Sequence, residues 1–505
     1  MNYIPTIGLE VHAELKTVTK MFCDSLNNPN EKHPNVNVCP VCLSHPGTLP
    51  VINKKAVESV LRIGMAVSGD IPMLSKFDRK NYFYPDIPKG YQISQYDLPL
   101  VFGGVLRGVR LTRIHLEEDT GRLVHVANSE EQRANSKSRG DNSSDLTSGH
   151  DYSLVDYNRA GVPLMELVTE PDIVNAEEAM AFAKELQLLL RYLDISDADM
   201  DKGQMRIEAN VSIRKRQSAN GEAQELGTKV EVKNINSFRA VYDAIQYEIK
   251  RQTEVVQSGK KVIQETRGWD DVNKVTVHQR LKESSHDYRY FPEPDLPPLD
   301  LSRFDLGGLK RSLPELPTMK RARFASQYKL NPQDIEALVV DRFAAEFFEE
   351  AVSELEAEEQ ESRVGQIKLI FNYLTSDLRG LMAERNISFR ESKVTPEHFA
   401  HLIQLISSDA VSSRTAKDML VKMLETGIDP HALLHDGGLR QVSDYGELGI
   451  IADKILGEQP AAVSDYKKGK ENALQFLVGK AMAELKGKGN PGVLQKLFKD
   501  KLAGL

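Results

Sequence analysis

The chain has 505 residues but only three cysteines and one tryptophan, and no apolar run approaches the ~20 residues that a bilayer-spanning helix needs. Cys23, Cys39 and Cys42 are too few and too clustered for the disulfide framework of a secreted protein, so a reducing compartment is expected. With no Arg-rich leader or signal peptide before Ile7–Leu15, the expected location is the cytoplasm, away from membranes. Excess positive charge is also missing: the formal net charge is −8. That argues against non-specific coating of nucleic acid but leaves room for a local basic patch. There is no Walker A sequence, so any ATP must be held by another kind of cradle. Gly487–Gly492 spells G-x-G-x-x-G by letter, but it follows a helical stretch and contains Pro491. The dinucleotide fingerprint requires strand, turn and helix in that order, which makes this a false positive. The Gly- and Ser-rich surroundings of an amidase nucleophile are absent too, so nitrogen chemistry here would take ammonia released by another chain.

What is present is a repeated alternation. In Ile7–Leu15 the apolar row is Ile7, Leu9, Val11, Ala13 and Leu15, and the other row is Glu10, His12 and Glu14. In Arg206–Arg214, Ile207, Ala209, Val211 and Ile213 alternate with Arg206, Glu208, Asn210, Ser212 and Arg214. In Lys229–Lys233, Val230 and Val232 alternate with Lys229, Glu231 and Lys233. Period two marks strands with one face on a core and one face open. A plain wetted sheet face accounts for any one of these strands taken alone. Together their carboxylates, imidazole, amide and cations point to a site for a hard metal ion and phosphate oxygens.

Residues 1 to about 295 are rich in such alternation and in Gly, Asn and Pro. One helix stands out, with Ala179, Phe182, Leu186, Leu189, Leu190 and Leu193 at helical spacing, Asn175 as N-cap and Glu178 at the third helical position. The proline-punctuated Phe291–Leu301 (FPEPDLPPLDL) reads as a domain boundary. Helical stretches such as Ala344–Glu358 and Gln366–Tyr373 follow, and the chain ends in a smaller helical unit. The polar run Ala127–Asp151 cannot bury enough apolar area to order itself and reads as a surface loop.

Cys39-Pro-Val-Cys42 with Cys23 upstream has the spacing of half a zinc ribbon; His33 and His45 are near enough to supply a fourth ligand. Three inert thiols are the alternative. Near the C-terminus Lys467, Lys468, Lys470, Lys480, Lys486 and Lys488 surround Leu474–Val478. They suit a phosphate backbone, although solubilising faces look the same.

Several long blocks are familiar together: IGLEVHAEL at Ile7–Leu15, FDRKNYFYPDIPKGYQISQ at Phe77–Gln95 and HLEEDTG at His115–Gly121. DYNRAGVPLMELVTEPD at Asp156–Asp172, GTKVEVKNINSF at Gly227–Phe238 and DYRYFPEPDLPP at Asp287–Pro298 follow. In this order, and continuing into Val478–Asn490, they resemble the B subunit of the aspartyl/glutamyl-tRNA(Asn/Gln) amidotransferases. The resemblance implies an α+β chain. An antiparallel-sheet cradle (1–295) would carry kinase and transamidase chemistry, followed by an all-α helical domain (296–430) and a small helical tail that binds tRNA (431–505). It implies ATP and Mg²⁺, an amidase (A) subunit that supplies ammonia, a small (C) subunit, and misacylated Glu-tRNA(Gln) or Asp-tRNA(Asn) as substrate. By resemblance the metal falls to Glu10, His12, Glu118 and Glu208, phosphate contacts to Arg206 and Lys233, and positioning to Asn210. Strand parity instead sets Glu117 beside His115, so Glu117 is the reserve for Glu118. Relatives with zinc carry a fourth cysteine where this chain has Ser25, and Glu208 replaces a common Asp. A non-catalytic tRNA-binding scaffold with a structural ion is the second reading.

Overall fold

The computed structural model describes residues 3–28, 30–126, 152–215, 226–281, 288–355, 360–437, 445–485, 489 and 491–504. The polar stretch 127–151, Lys486 and Lys488 lie outside the described residues. The chain divides into two compact units, Met1–Leu316 and Pro317–Leu505. The first is built on sheet and the second on helices, an α+β protein.

The main elements of the first unit are β1 (Tyr3–Glu14), α1 (Lys54–Ala66), β2 (Asp78–Asn81), β3 (Tyr91–Ser94), β4 (Val109–Glu118) and β5 (Pro163–Thr169). Then come α2 (Ala176–Tyr192), β6 (Met205–Lys215), β7 (Val230–Ile235), α3 (Phe238–Gln257), β8 (Glu265–Asp270) and β9 (Val275–Leu281). The large sheet has the order β9-β8-β7-β6-β1-β5-β4, with the short strands Val101–Phe102 and Val105–Leu106 also pairing with β4. Neighbours run antiparallel except β7 and β8, which are parallel because α3 carries the chain back between them.

Alternation does what its period requires. Ile7, Leu9, Val11 and Ala13 are at most 1% exposed, as are Ile207, Ala209, Val211, Val230 and Val232. All of these but Val230 belong to one core with α1, α2 and α3. The stripe Ala179, Phe182, Leu186, Leu189, Leu190 and Leu193 of α2 is buried in it, each large side chain contributing about 2 kcal/mol. Asn175 caps α2 by accepting from the Glu178 N–H, while Glu178 reaches back to the Val174 N–H. Because one sheet face is occupied by helices, the ionisable rows all fall on the opposite face.

The proline-rich segment is laid along the first unit. Phe291–Pro292 pairs with β2, Leu299–Asp300 pairs with Leu74–Ser75, and Leu296 and Leu301 are buried in the core. Compactness therefore extends to Leu316, past the boundary expected near residue 296. In the second unit α4 (Pro396–Ser407) starts at the N-cap Thr395 and packs beside α5 (Pro430–Gly437). The C-terminal helices have a core of their own, around Leu448, Ala452, Leu477, Leu494 and Phe498.

Candidate functional site

Register decides what meets on the open face. His12 of β1 pairs with Arg206 of β6 on one side and with Glu166 of β5 on the other, and Glu166 in turn pairs with His115 of β4. One row along, Glu10 faces Glu208. The side chains converge as the backbone register implies. Nε2 of His12 lies 3.6 Å from Glu10, 3.8 Å from Glu117 and 3.4 Å from Glu166. Nε2 of His115 lies 3.2 Å from the same Glu166 oxygen. Two overlapping donor groups result, Glu10–His12–Glu166 and His115–Glu117–Glu166.

Like charges directly across a sheet destabilise it unless a cation stands between them. Here Nζ of Lys233 sits 2.6 Å from Glu208 and 3.9 Å from Glu231. Period two puts Lys233 on the open face; just beyond it the β6–β7 register shifts, and Asn234 adopts the left-handed conformation with φ 63°, which Asn tolerates better than most residues. Burial, with the charges of Glu166 and Glu208, pushes the Glu10 carboxyl up to about 7 against the pull of His12 and Lys233. Burial opposes a charge on His12, but the hydrogen bond and charge of Glu166, with Glu117 and Glu10, raise its imidazole to about 9. Glu166 is held well below the usual carboxylate range, despite burial, by His115 and His12. The site is thus a surplus of carboxylates that calls for positive charge. Nδ1 of His115 is buried with no hydrogen-bond partner. These oxygen donors with one or two imidazoles fit a hard divalent cation such as Mg²⁺, which needs few protein ligands and keeps several waters.

Glu10, His12, Glu208 and Lys233 therefore come together. Asn210 lies one row beyond, opposite Gly8 and Glu231, with a buried, unpartnered Oδ1. Arg206 points along its row to Asp119 at 2.9 Å, which Arg159 also approaches at 3.4 Å. Next to this group, burial and then Asp119 push the Glu14 carboxyl up to about 7. Glu118 does not join the cluster. Strand parity turns it to the other face of β4, where its carboxylate accepts from Lys89 at 2.7 Å and from the Ile93 N–H at 2.9 Å. Glu117, turned inward, accepts from Ser94 and faces His12.

Two contributors escaped sequence reasoning. Glu166 is the lone charge in the apolar run of β5, and that isolation was its signal. Lys80 of β2 lies over the Tyr288 ring at 5.2 Å. Burial works against its ammonium, but Glu117, Tyr290 and Glu166 raise its pKa. Burial pushes the Tyr290 phenol up to about 12 with Lys80 opposing, and its ring stacks on Tyr96 at 4.4 Å. Neither belongs to a recognisable period: β2 has only four residues, and Tyr290 lies just before the two-residue strand Phe291–Pro292.

On the far side of Glu118 the three cysteines converge, their sulfurs within 4.8 Å of one another. Cys42 Sγ accepts from the Cys39 N–H at 3.1 Å and lies 3.8 Å from the buried Lys20 ammonium. The bond from Cys23, with the Cys39 N–H and Lys20, draws the Cys42 thiol down to about 4, and the same bond raises Cys23. Ser25 Oγ stands 3.9 Å from Cys42 Sγ, and His45 lines the adjoining cavity. His33 is turned to Glu31 at 2.9 Å. In the second unit Lys467, Lys468, Lys470 and Lys480 are exposed; Lys470 pairs with Asp465 and Lys480 lies over Phe476.

Residues 5–305 match the model of the GatB/GatE catalytic domain, and residues 346–502 match that of the GatB domain. The B subunit of the aspartyl/glutamyl-tRNA(Asn/Gln) amidotransferase from Carboxydothermus hydrogenoformans is 42% identical over 512 residues, covering 100% of both chains. Its counterpart from Thermomicrobium roseum is 44% identical over 510 residues, 99% of each. Full-length similarity at this level, with both domain models in order, means that the chain belongs to the B-subunit family of the aspartyl/glutamyl-tRNA(Asn/Gln) amidotransferases.

Proposed function

We propose that the open sheet face is the place where the side-chain carboxylate of Glu-tRNA(Gln) or Asp-tRNA(Asn) is activated by ATP and then amidated. Members of the family serve a ligase that converts misacylated tRNA to Gln-tRNA(Gln) or Asn-tRNA(Asn). The observation that carries the local assignment is His12 held among Glu10, Glu117 and Glu166, with Lys233 and Lys80 at the edges.

A carboxylate is a poor electrophile. Its oxygen attacks the γ-phosphorus of ATP, ADP departs, and an acyl phosphate forms. Ammonia then adds to the acyl carbon, the bond to phosphate breaks, and a proton leaves the nitrogen. Phosphoryl transfer of this kind depends chiefly on positioning and charge neutralisation. Mg²⁺ bound by Glu10, His12, Glu117 and Glu166, with Glu208 next to them, would supply that neutralisation at the phosphate oxygens. Glu117 replaces Glu118 in this set, because Glu118 is committed to Lys89. Lys233, Lys80 and Arg206 are the cations that hold phosphate oxygens, and Asn210 orients the acceptor with its unpartnered amide oxygen. Ammonia comes from the amidase partner, and a third, small partner completes the assembly. The exposed tail lysines meet the tRNA backbone. Zn²⁺ on Cys23, Cys39 and Cys42 fits three thiolates and lacks a fourth sulfur.

The test uses the chain co-expressed with its amidase and small partners and supplied with Glu-tRNA(Gln), Mg²⁺, ATP and ammonium. Glutamine should appear on tRNA with the wild type and vanish with Glu10→Gln while tRNA binding persists. Undiminished glutamine formation by Glu10→Gln would overturn the assignment. A wild-type complex that binds both tRNAs and amidates neither would leave the scaffold reading.

A further inference from the structure

Five tyrosines form an unbroken row of ring contacts beside the small sheet of Phe291–Pro292, β2 and β3. Ring centroids are 6.1 Å apart from Tyr84 to Tyr82, 6.5 Å from Tyr82 to Tyr288 and 6.3 Å from Tyr288 to Tyr290. Tyr290 then stacks on Tyr96 at 4.4 Å, with the planes 15° apart. Hydrogen bonds hold the backbone that carries these rings. The Tyr96 N–H donates to the Asp78 carboxylate at 3.2 Å. Asn81 donates through its N–H to the Tyr288 carbonyl at 2.9 Å, and through its side-chain amide to the carbonyls of Tyr288 and Arg289. Arg289 itself adopts the left-handed conformation with φ 43°, which a bulky residue keeps only where its surroundings impose it. The two ends of the row are nevertheless open, with Tyr84 61% exposed and Tyr96 55% exposed.

We propose that this row is a stacking platform for the unpaired 3′ end of the aminoacyl-tRNA. A contiguous patch of exposed rings marks a binding surface. Unpaired bases of any identity stack on aromatic faces, and Tyr sets an apolar ring and a polar tip at the boundary with water. Cations accompany the rings, as a phosphate backbone requires. Lys80 lies over the Tyr288 ring at 5.2 Å, and Arg289 is exposed between Tyr288 and Tyr290. One part of the row adjoins the chemistry: Tyr290 and Lys80 both feel the charges of Glu117 and Glu166 on the sheet face. The amino acid is esterified to the last nucleotide of tRNA. The last base must therefore lie next to the place where the side chain is activated, with the preceding bases leading away. ATP brings a single base, and a row of five rings offers more than one base can cover. The proposal rests on the sheet face being the place of activation, and it gives the tRNA a contact that the tail lysines do not make.

The experiment uses the chain assembled with its amidase and small partners, and uncharged tRNA(Gln) with 2-aminopurine in place of the terminal adenine. Stacking should quench the fluorophore when the wild type binds. The double variant Tyr84→Ala, Tyr96→Ala should lose the quench and bind the tRNA about fivefold more weakly or worse. Both side chains are exposed, so neither change empties the core. Tyr84→Phe with Tyr96→Phe keeps the rings and should behave as the wild type. A tRNA that lacks its last three nucleotides should bind wild type and double alanine variant equally. In amidation, KM for tRNA should rise in the alanine variant and KM for ATP should not. An unchanged quench, or an equal loss of affinity for intact and shortened tRNA, would overturn the proposal. So would a rise in KM for ATP alone, which would seat the nucleotide on the row, or loss of the amidase partner on gel filtration, which would make the row a protein interface. The quench is read without ATP or amino acid, so it stands or falls separately from the Glu10→Gln result.

Discussion

One oxygen of Glu166 serves two histidines: His12 approaches it at 3.4 Å from β1 and His115 at 3.2 Å from β4. This shared acceptor joins the two donor groups of the sheet face. It is also the main reason that His12 keeps its proton.

Replacing Glu166 by Gln should therefore lower the His12 pKa from about 9 toward the ordinary value near 6.5. A histidine whose folded pKa is raised contributes stability that is fully present below its unfolded pKa and lost as pH rises through the folded value. In chelator-treated protein the wild type should lose stability between about pH 6.5 and 9, on the order of 3 kcal/mol at most. Glu166→Gln should lose much less across that window. Denaturant unfolding at several pH values, with NMR titration of labelled histidine, reads both effects; parallel pH profiles would refute the linkage.

Glu117 and Glu118 should separate cleanly. Glu117→Gln is expected to abolish ammonium-dependent amide formation and weaken Mg²⁺ binding, read with Mn²⁺ as a paramagnetic substitute. Glu118→Gln should leave metal affinity intact but destabilise the fold by about 2 kcal/mol, since it strands the Lys89 ammonium in a buried place. The opposite pattern would return Glu118 to the ligand set.

The cysteine cluster predicts a gain of function. Ser25 Oγ is 3.9 Å from Cys42 Sγ, so Ser25→Cys supplies a fourth thiolate to a closed tetrahedral site. Zinc affinity, measured against a chromophoric chelator, should rise at least tenfold. An unchanged affinity would mean that position 25 does not complete the donor set.

For the tail, Lys468→Glu with Lys480→Glu should weaken tRNA binding by the whole complex. The slope of log affinity against log salt should fall by about one for each phosphate that is no longer neutralised. Circular dichroism should be unchanged, since both side chains are exposed. An unaltered slope would show that these lysines only solubilise their helices.

Sequence alone determined which residues share a strand face, because side-chain direction in a strand has a period of two and needs no tertiary information. Glu10 with His12, Glu208 with Arg206, the apolar rows and the stripe of α2 with its Asn175 cap were all legible that way. Long blocks, matched to known relatives, carried the family. The tertiary structure decided which strands lie side by side. Register between β1 and β5, and between β5 and β4, strands far apart in the chain, brought in Glu166 and His115. It also set Glu117 on the inner face, where parity had placed it against the family-based choice of Glu118. A bulge at Asn234, invisible to a regular period, reset the β6–β7 pairing just beyond Lys233. Lys80 entered from a short strand of another sheet. Local periodicity fixes the face a side chain occupies; its partner across space depends on long-range pairing, which one sequence does not contain.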